Sequence, residues 1–226
     1  MSDDNPQIPE SSKGDVAHAI AKAGLSVIPI VGGPAVELFQ LLVQPPLERR
    51  REDWMRSVGE KLQELESKGI DLESLKENEQ FISAVMHATQ IALRTHETLK
   101  RDSLRNALTN IAIGQAPEEA IQHIFFELVD SLTELHIQIL SVFQRPEPPN
   151  SLGMGGLVHV LEGSIPNLRG RRELYDKLWK DLYLRGLINT DNLHVTMSGQ
   201  GLRQKRTTEL ADEFLSFIRE PNGPAL

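Results

Sequence analysis

The sequence contains no cysteine, few aromatic residues and no cluster of residues with a recognisable catalytic spacing. The absence of cysteine excludes disulfide bonds, thiol catalysis and zinc or iron–sulfur sites built on cysteine. Aromatic residues make up only 5% of the 226 residues, whereas Leu, Ala, Glu and Gln are abundant. This composition favours helices. We therefore expect a mostly α fold.

The chain also has no long uninterrupted apolar run. Its longest weakly charged stretch, residues 24–46, is divided by Pro29 and by Gly32-Gly33-Pro34. A transmembrane helix needs about 20 consecutive apolar residues. The stretch therefore predicts a buried helical hairpin with the Gly-Gly-Pro run at its corner. No basic region precedes an apolar run near Met1, so we expect no secretory signal and a cytoplasmic protein.

Motifs for catalysis and for cofactor binding are missing as well. The seven histidines show neither the His-Glu-x-x-His nor the Glu-x-x-His spacing that places metal ligands on one helical face. The glycine-rich runs 153–156 and 198–201 lack the Gly-Lys-Ser/Thr of a phosphate loop. We therefore expect a protein that is not an enzyme, with no catalytic residues, no cofactor and no metal.

Residues 15–145 predict a bundle of about five or six helices. A first helix is expected from Asp15 to Gly24, a second from Pro34, and an amphipathic helix between Pro45-Pro46 and Gly69. Asn78 is a predicted N-cap for a stretch to Gly114, either one long helix or two with a kink near Lys100. A last helix should run from Pro117 until Pro146 ends it.

Residues 146–152 are predicted to be a linker, because three prolines lie close together in RPEPPN, residues 145–150. The following segment, 153–220, predicts helices near 157–161 and over 170–185, strands at 187–188 and 193–197, and a last helix from Thr207. This is the order of elements in a winged helix, so we expect a small winged-helix-like α+β module. Residues 1–14 and 221–226 should be disordered or flexible.

The positive charge is concentrated in that module. Residues 165–206 contain nine Arg or Lys and four Asp or Glu, although the whole chain has a net charge of −8. The outward face of helix 170–185 should carry Glu173, Asp176, Lys177 and Lys180, and acids there oppose the phosphates of DNA. The cations at its edges predict a partner-binding rim: Arg169, Arg171, Arg172, Arg203, Lys205 and Arg206.

These observations leave three functions open. The leading hypothesis is a regulatory or interaction protein whose winged-helix-like module binds a macromolecule. We expect this partner to be another protein or a second copy of the chain. The first alternative is a DNA-binding regulator that uses the same module. The second is a membrane-active helical effector of a bacterial defence or toxin system, built on residues 24–54. Its membrane-contact residues would be Leu38, Phe39, Leu41, Leu42, Arg49, Arg50, Arg51 and Trp54. No small-molecule ligand is indicated.

Several segments resemble a family of uncharacterised bacterial helical proteins: IPIVGGPAVELF, RRREDWM, ISAVMHATQIALRTHETLKRDSLRNAL and TTELADEFLSFI. The resemblance implies a helical fold and a bacterial, cytosolic origin, and it implies no activity. A hydrophobic helical N-terminus with an internal Gly-Gly also resembles the membrane-active domains of bacterial and fungal cell-death proteins. That second likeness is one of fold alone.

Overall fold

The structure, a computed structural model, describes residues 34–149 and 153–221, with side chains from residue 46 onwards. The chain divides between Pro46 and Leu47 into two units. The packing described below is that of the second unit, Leu47–Leu226. The predicted helix at 15–24 and the Gly-Gly corner of the hairpin lie outside the described residues.

Helices dominate the described part of the chain, which confirms a mostly α fold. Six of them precede Pro146: α1 (Pro34–Ser67), α2 (Leu72–Lys76), α3 (Glu79–Arg94), α4 (Thr98–Ala112), α5 (Glu119–Ser131) and α6 (Glu134–Gln144). Glycines with positive φ follow α1 and α4, at Gly69 (93°) and Gly114 (71°). Only glycine adopts this conformation freely, so these residues end the helices where the sequence predicted.

Four further helices and two short strands follow Pro146 within the described residues. They are β1 (Met154–Gly155), α7 (Leu157–Ser164), α8 (Arg172–Leu184), β2 (Met197–Ser198), α9 (Gly199–Leu202) and α10 (Glu209–Ile218). A 3₁₀ turn at Pro166–Leu168 connects α7 to α8. The strands pair antiparallel, with Met154 opposite Ser198 and Gly155 opposite Met197.

The predicted hairpin between 187–188 and 193–197 is wrong. Ile188 instead forms an isolated antiparallel bridge with Thr207, and Met197 pairs with Gly155. Local hydrogen bonds explain the difference. The Trp179 indole donates to the Thr190 carbonyl at 2.9 Å, and the His194 amide donates to Asn192 Oδ1 at 2.8 Å. Both contacts hold the intervening loop away from the hairpin geometry.

Helix boundaries differ from the prediction at two places. Helix α1 continues through Pro45 and Pro46, although each proline removes one amide donor from the helix. The predicted helix 117–145 is two helices, because Thr133 acts as the N-cap of α6. The stretch after Asn78 is also two helices, and Asn78 Oδ1 accepts the Phe81 amide at 3.0 Å as expected of an N-cap.

The core of the second unit takes residues from both sides of Pro146. Helix α4 packs against α3, α5 and α10, and α6 packs against α8 and α10. Aromatic contacts join these layers: Phe125 lies 5.6 Å from Phe214, and Phe143 lies 4.7 Å from Trp179 between ring centroids. Within the predicted linker, Pro146 and Pro148 are buried. The predicted boundary therefore falls inside a compact unit.

Candidate functional site

Three arginines of the predicted rim lie where the chain enters α8. Gly170, with φ of 72°, turns the chain out of the 3₁₀ turn, and its amide donates to Glu162 Oε1 at 3.1 Å. Arg169, Arg171 and Arg172 are all exposed. Arg172 Nε lies 3.4 Å from Asp176 Oδ2, so this guanidinium shares a carboxylate of its own helix.

The other three cations of the rim follow α9, and they differ in how freely their side chains could contact a partner. Arg203 is exposed. Lys205 Nζ lies 2.5 Å from Asp212 Oδ2. Burial raises the pKa of Asp212, but hydrogen bonds from Lys205, Thr207 and Gln144 more than offset it and leave this pKa below its usual value. Lys205 is thus held in an ion pair.

Arg206 differs from the exposed cations of the predicted rim because it also contacts its own chain. It is half-buried, and its Nη2 donates to the Gly201 carbonyl at 2.6 Å. Its backbone amide donates to the Phe143 carbonyl at 2.9 Å, which ties the segment after α9 to α6. Arg206 is therefore less available to a partner than Arg169, Arg171 and Arg203.

Helix α8 presents a mixed face between these arginines. Its apolar stripe, which includes Tyr175, Leu178 and Trp179, is buried as the sequence predicted. On the other face Asp176 Oδ1 lies 2.7 Å from His194 Nε2, and Glu173 is exposed. Acids at these positions repel a phosphate backbone. The face therefore lacks the positive charge that is typical of a helix bound in a DNA groove.

Four of the predicted membrane-contact residues have side chains in the described part of the chain, and these four differ in exposure. Arg49 and Arg51 are exposed, whereas Arg50 is half-buried. Trp54 is only 2% exposed, and its Nε1 donates to Thr89 Oγ1 at 2.9 Å, so it belongs to the core and is not available to a lipid surface. The remaining four have their backbones in α1 and their side chains outside the described part: Leu38, Phe39, Leu41 and Leu42. No helix within the described ranges is long and apolar enough to cross a membrane.

One side-chain set has the residue types of a catalytic triad. His136 Nδ1 lies 2.9 Å from Thr133 Oγ1, and its Nε2 lies 3.4 Å from Asp181 Oδ2. However, the Thr133 amide also donates to His136 Nδ1, at 3.1 Å, and His136 is 6% exposed. The hydrogen bond from the Thr133 amide belongs to the capping box of α6, in which the Thr133 side chain in turn accepts the His136 amide. Burial lowers the pKa of His136, which keeps the ring neutral and able to accept that hydrogen bond.

A pair of histidines lies between α3 and α5. The rings of His87 and His123 are 5.5 Å apart. Burial, and then the neighbouring His123, lower the pKa of His87. Among residues 34–149 and 153–221, no three His, Asp or Glu side chains come together in a way that could hold a metal ion.

Compared with known proteins, the chain matches no family model, no curated protein and no solved structure. The resemblance to a bacterial helical family therefore stays a prediction. Function has to be inferred from the geometry of the surface alone.

Proposed function

We propose that this is a non-enzymatic interaction protein that binds an acidic protein surface through exposed arginines of its C-terminal segment 153–220. One observation carries the proposal. Arg169, Arg171 and Arg203 are exposed, and none of them forms an ion pair with a carboxylate in the described part of the chain. These guanidinium groups therefore keep their full capacity for an external anion.

Most cations of the helical bundle whose side chains the structure describes are paired. Seven of them each lie within 4 Å of a carboxylate: Arg56, Lys61, Lys68, Lys76, Arg94, Lys100 and Arg105. Arg49 and Arg51 are exposed and are not among these pairs. A guanidinium presents a planar fork of donors that matches a carboxylate with two parallel hydrogen bonds. The arginines at the start of α8 and after α9 are suited to an acidic partner because they also lie in residues 165–206, where Arg and Lys outnumber Asp and Glu by nine to four.

The charges around the arginines favour a protein over a nucleic acid. Glu173 and Asp176 lie one and four residues after Arg172 on α8, and the chain as a whole carries a net charge of −8. A continuous line of phosphates would be repelled by these acids, whereas a folded protein can place a few carboxylates opposite the arginines alone. The membrane-active alternative rests on residues 24–54, and the side chains of residues 24–45 lie outside the described part. It stays a prediction that liposome flotation can test.

Charge reversal tests the proposed function. The variant Arg169→Glu/Arg171→Glu/Arg203→Glu should lose at least about tenfold of its capture of the partner, because three unpaired cations become anions. The melting temperature should not change, since the three side chains are exposed. Capture is measured by affinity purification from a lysate of the organism that encodes the protein, with quantitative mass spectrometry.

The matched control is Arg56→Glu/Lys68→Glu/Arg94→Glu, which changes the net charge equally on the bundle. Equal loss of capture in both variants would show a non-specific charge effect and contradict the proposal. A mobility-shift assay with DNA and a salt titration gives a second outcome. Tight, salt-sensitive binding that only the first variant loses would replace the protein partner with a nucleic acid.

A further inference from the structure

Helices α1, α2 and α3 enclose an apolar groove of about 420 Å³. Its floor includes Trp54, Val58 and Leu62 from α1, Leu75 from α2, and Phe81 and Val85 from α3. The hydrogen bond between Trp54 and Thr89 at 2.9 Å joins α1 to α3 at the floor. The Asp71 side chain caps α2 by accepting the Glu73 amide at 3.0 Å. The shape of the groove is therefore fixed by helices that are packed against each other and capped.

Two methionines on the groove are unusually exposed. Met55 is 60% exposed and Met86 is 62% exposed, and both line the groove. Contiguous exposed apolar surface in a concave site is typical of a binding site. The volume also falls in the range of about 300 to 1,000 Å³ that small-molecule sites occupy. Methionine adapts to the shape of a bound apolar group because its side chain is unbranched and polarisable.

The groove contains a single charged lining residue, and it is a cation. Lys76 lines the groove, and no carboxylate does. Lys76 Nζ lies 2.6 Å from Glu73 Oε1, but the two side chains are 68% and 80% exposed. An ion pair this exposed contributes little to stability. Lys76 can therefore exchange Glu73 for the anionic group of a ligand at small cost.

We propose that this groove binds a free medium-chain carboxylate, with its alkyl chain on the apolar floor and its carboxylate at Lys76. The charge of the lining selects the head group. A carboxylate can take the place of Glu73 at Lys76, whereas a cationic group would meet the one charged residue of the lining with the same sign and a neutral group would form no ion pair with it. Thr89 is already engaged by Trp54. Lys76 is therefore the one charged group that the lining offers to the end of an apolar chain.

A chain-length series tests the apolar floor. Octanoate, decanoate and dodecanoate are titrated into the full-length protein below their micellar concentrations, and Kd is measured by calorimetry and by tryptophan fluorescence. Each added methylene should tighten binding about fourfold while the chain still fits the floor. Decanol and decylammonium should bind about tenfold more weakly than decanoate, because they lack the charge-assisted contact to Lys76.

Variants test the two ends of the site separately. Lys76→Glu should weaken decanoate binding about tenfold. The matched control is Lys68→Glu, because Lys68 is similarly exposed at 63%, is also paired with a glutamate, and lies outside the groove lining. It should bind decanoate as the wild type does. Met55→Gln/Met86→Gln should weaken the binding of all three carboxylates. The melting temperature of this variant should equal that of the wild type.

Three results would overturn the proposal. The first is equal affinity for decanoate, decanol and decylammonium. The second is an affinity for decanoate that Lys76→Glu leaves unchanged. The third is a concentration-dependent dimer in sedimentation equilibrium that the methionine variant dissolves and decanoate does not affect, because the groove would then be an interface between two copies of the chain. None of these experiments involves Arg169, Arg171 or Arg203, so they are independent of the proposed function.

Discussion

At the scale of single residues, Asn110 anchors the last helix from inside the core. Its side chain is 3% exposed, and its Nδ2 donates to the Phe217 carbonyl at 2.8 Å and to the Arg219 carbonyl at 2.9 Å. Asn110→Ala should lower the free energy of unfolding by about 2 to 3 kcal/mol, because buried carbonyls lose their donor. Urea unfolding measures this change. Asn189→Ala removes an exposed amide and should stay within about 0.5 kcal/mol of the wild type; equal effects would contradict the anchoring role.

Two glycines should respond to alanine with opposite signs. A Cβ on Gly156 would lie 2.9 Å from the Leu193 carbonyl oxygen, whereas a Cβ on Gly59 would have no neighbour within 4 Å. Gly156→Ala should destabilise the protein by about 1 to 3 kcal/mol, because a backbone carbonyl must move. Gly59→Ala, inside α1, should stabilise it by about 0.5 to 1 kcal/mol. Thermal unfolding compares the two, and the same sign for both would refute the predicted close approach at Gly156.

At the scale of elements, the capping box of α6 makes stability depend on pH. Burial lowers the pKa of His136 below the ordinary imidazole value of 6.5, so the folded protein resists protonation that the unfolded chain accepts. The contribution of this histidine is complete above about pH 6.5 and is lost as the pH falls below that value. The measurement is urea unfolding at pH 7, 6 and 5.

The comparison variant for this helix is His136→Gln. Glutamine at this position of a capping box can still accept the amide hydrogen bond, but it does not titrate. The wild type should therefore lose more stability than the variant as the pH is lowered. Contributions from other histidines, including His87, are present in both proteins and cancel. Parallel curves for the two proteins would show that His136 does not carry the pH dependence.

The limits of sequence reasoning also appear at the scale of elements. Asn78 was identifiable as an N-cap because its signal is local, and the buried stripe of α8 was identifiable from its helical periodicity. The pairing of Met197 with Gly155 was not, because partners distant in sequence are chosen by packing. The contact of Arg206 with the end of α9 was not identifiable for the same reason. The apolar groove needs three helices to form, so no single segment could indicate it.

At the scale of the whole molecule, residues on the two sides of Pro146 should unfold together. Phe126 and Phe217 lie 5.5 Å apart between ring centroids, and one hydrophobic cluster includes both Leu104 and Leu215. A protease site inserted within residues 150–152 should therefore give two fragments that co-elute after cleavage. The uncut chain should show one denaturant transition from Leu47 onwards. Fragments that separate without denaturant would instead support the independent modules predicted from the proline-rich segment.

The position of α10 in the chain affects when the protein can fold during synthesis. Its phenylalanines complete aromatic contacts with Phe125 and Phe126, and the carbonyls at its end receive donors from Asn106 and Asn110. These partners are translated about a hundred residues earlier. A growing chain must therefore expose an incomplete apolar core until residues 209–218 have left the ribosome. Chaperones that bind nascent apolar segments should consequently associate with this chain until α10 has emerged and packed.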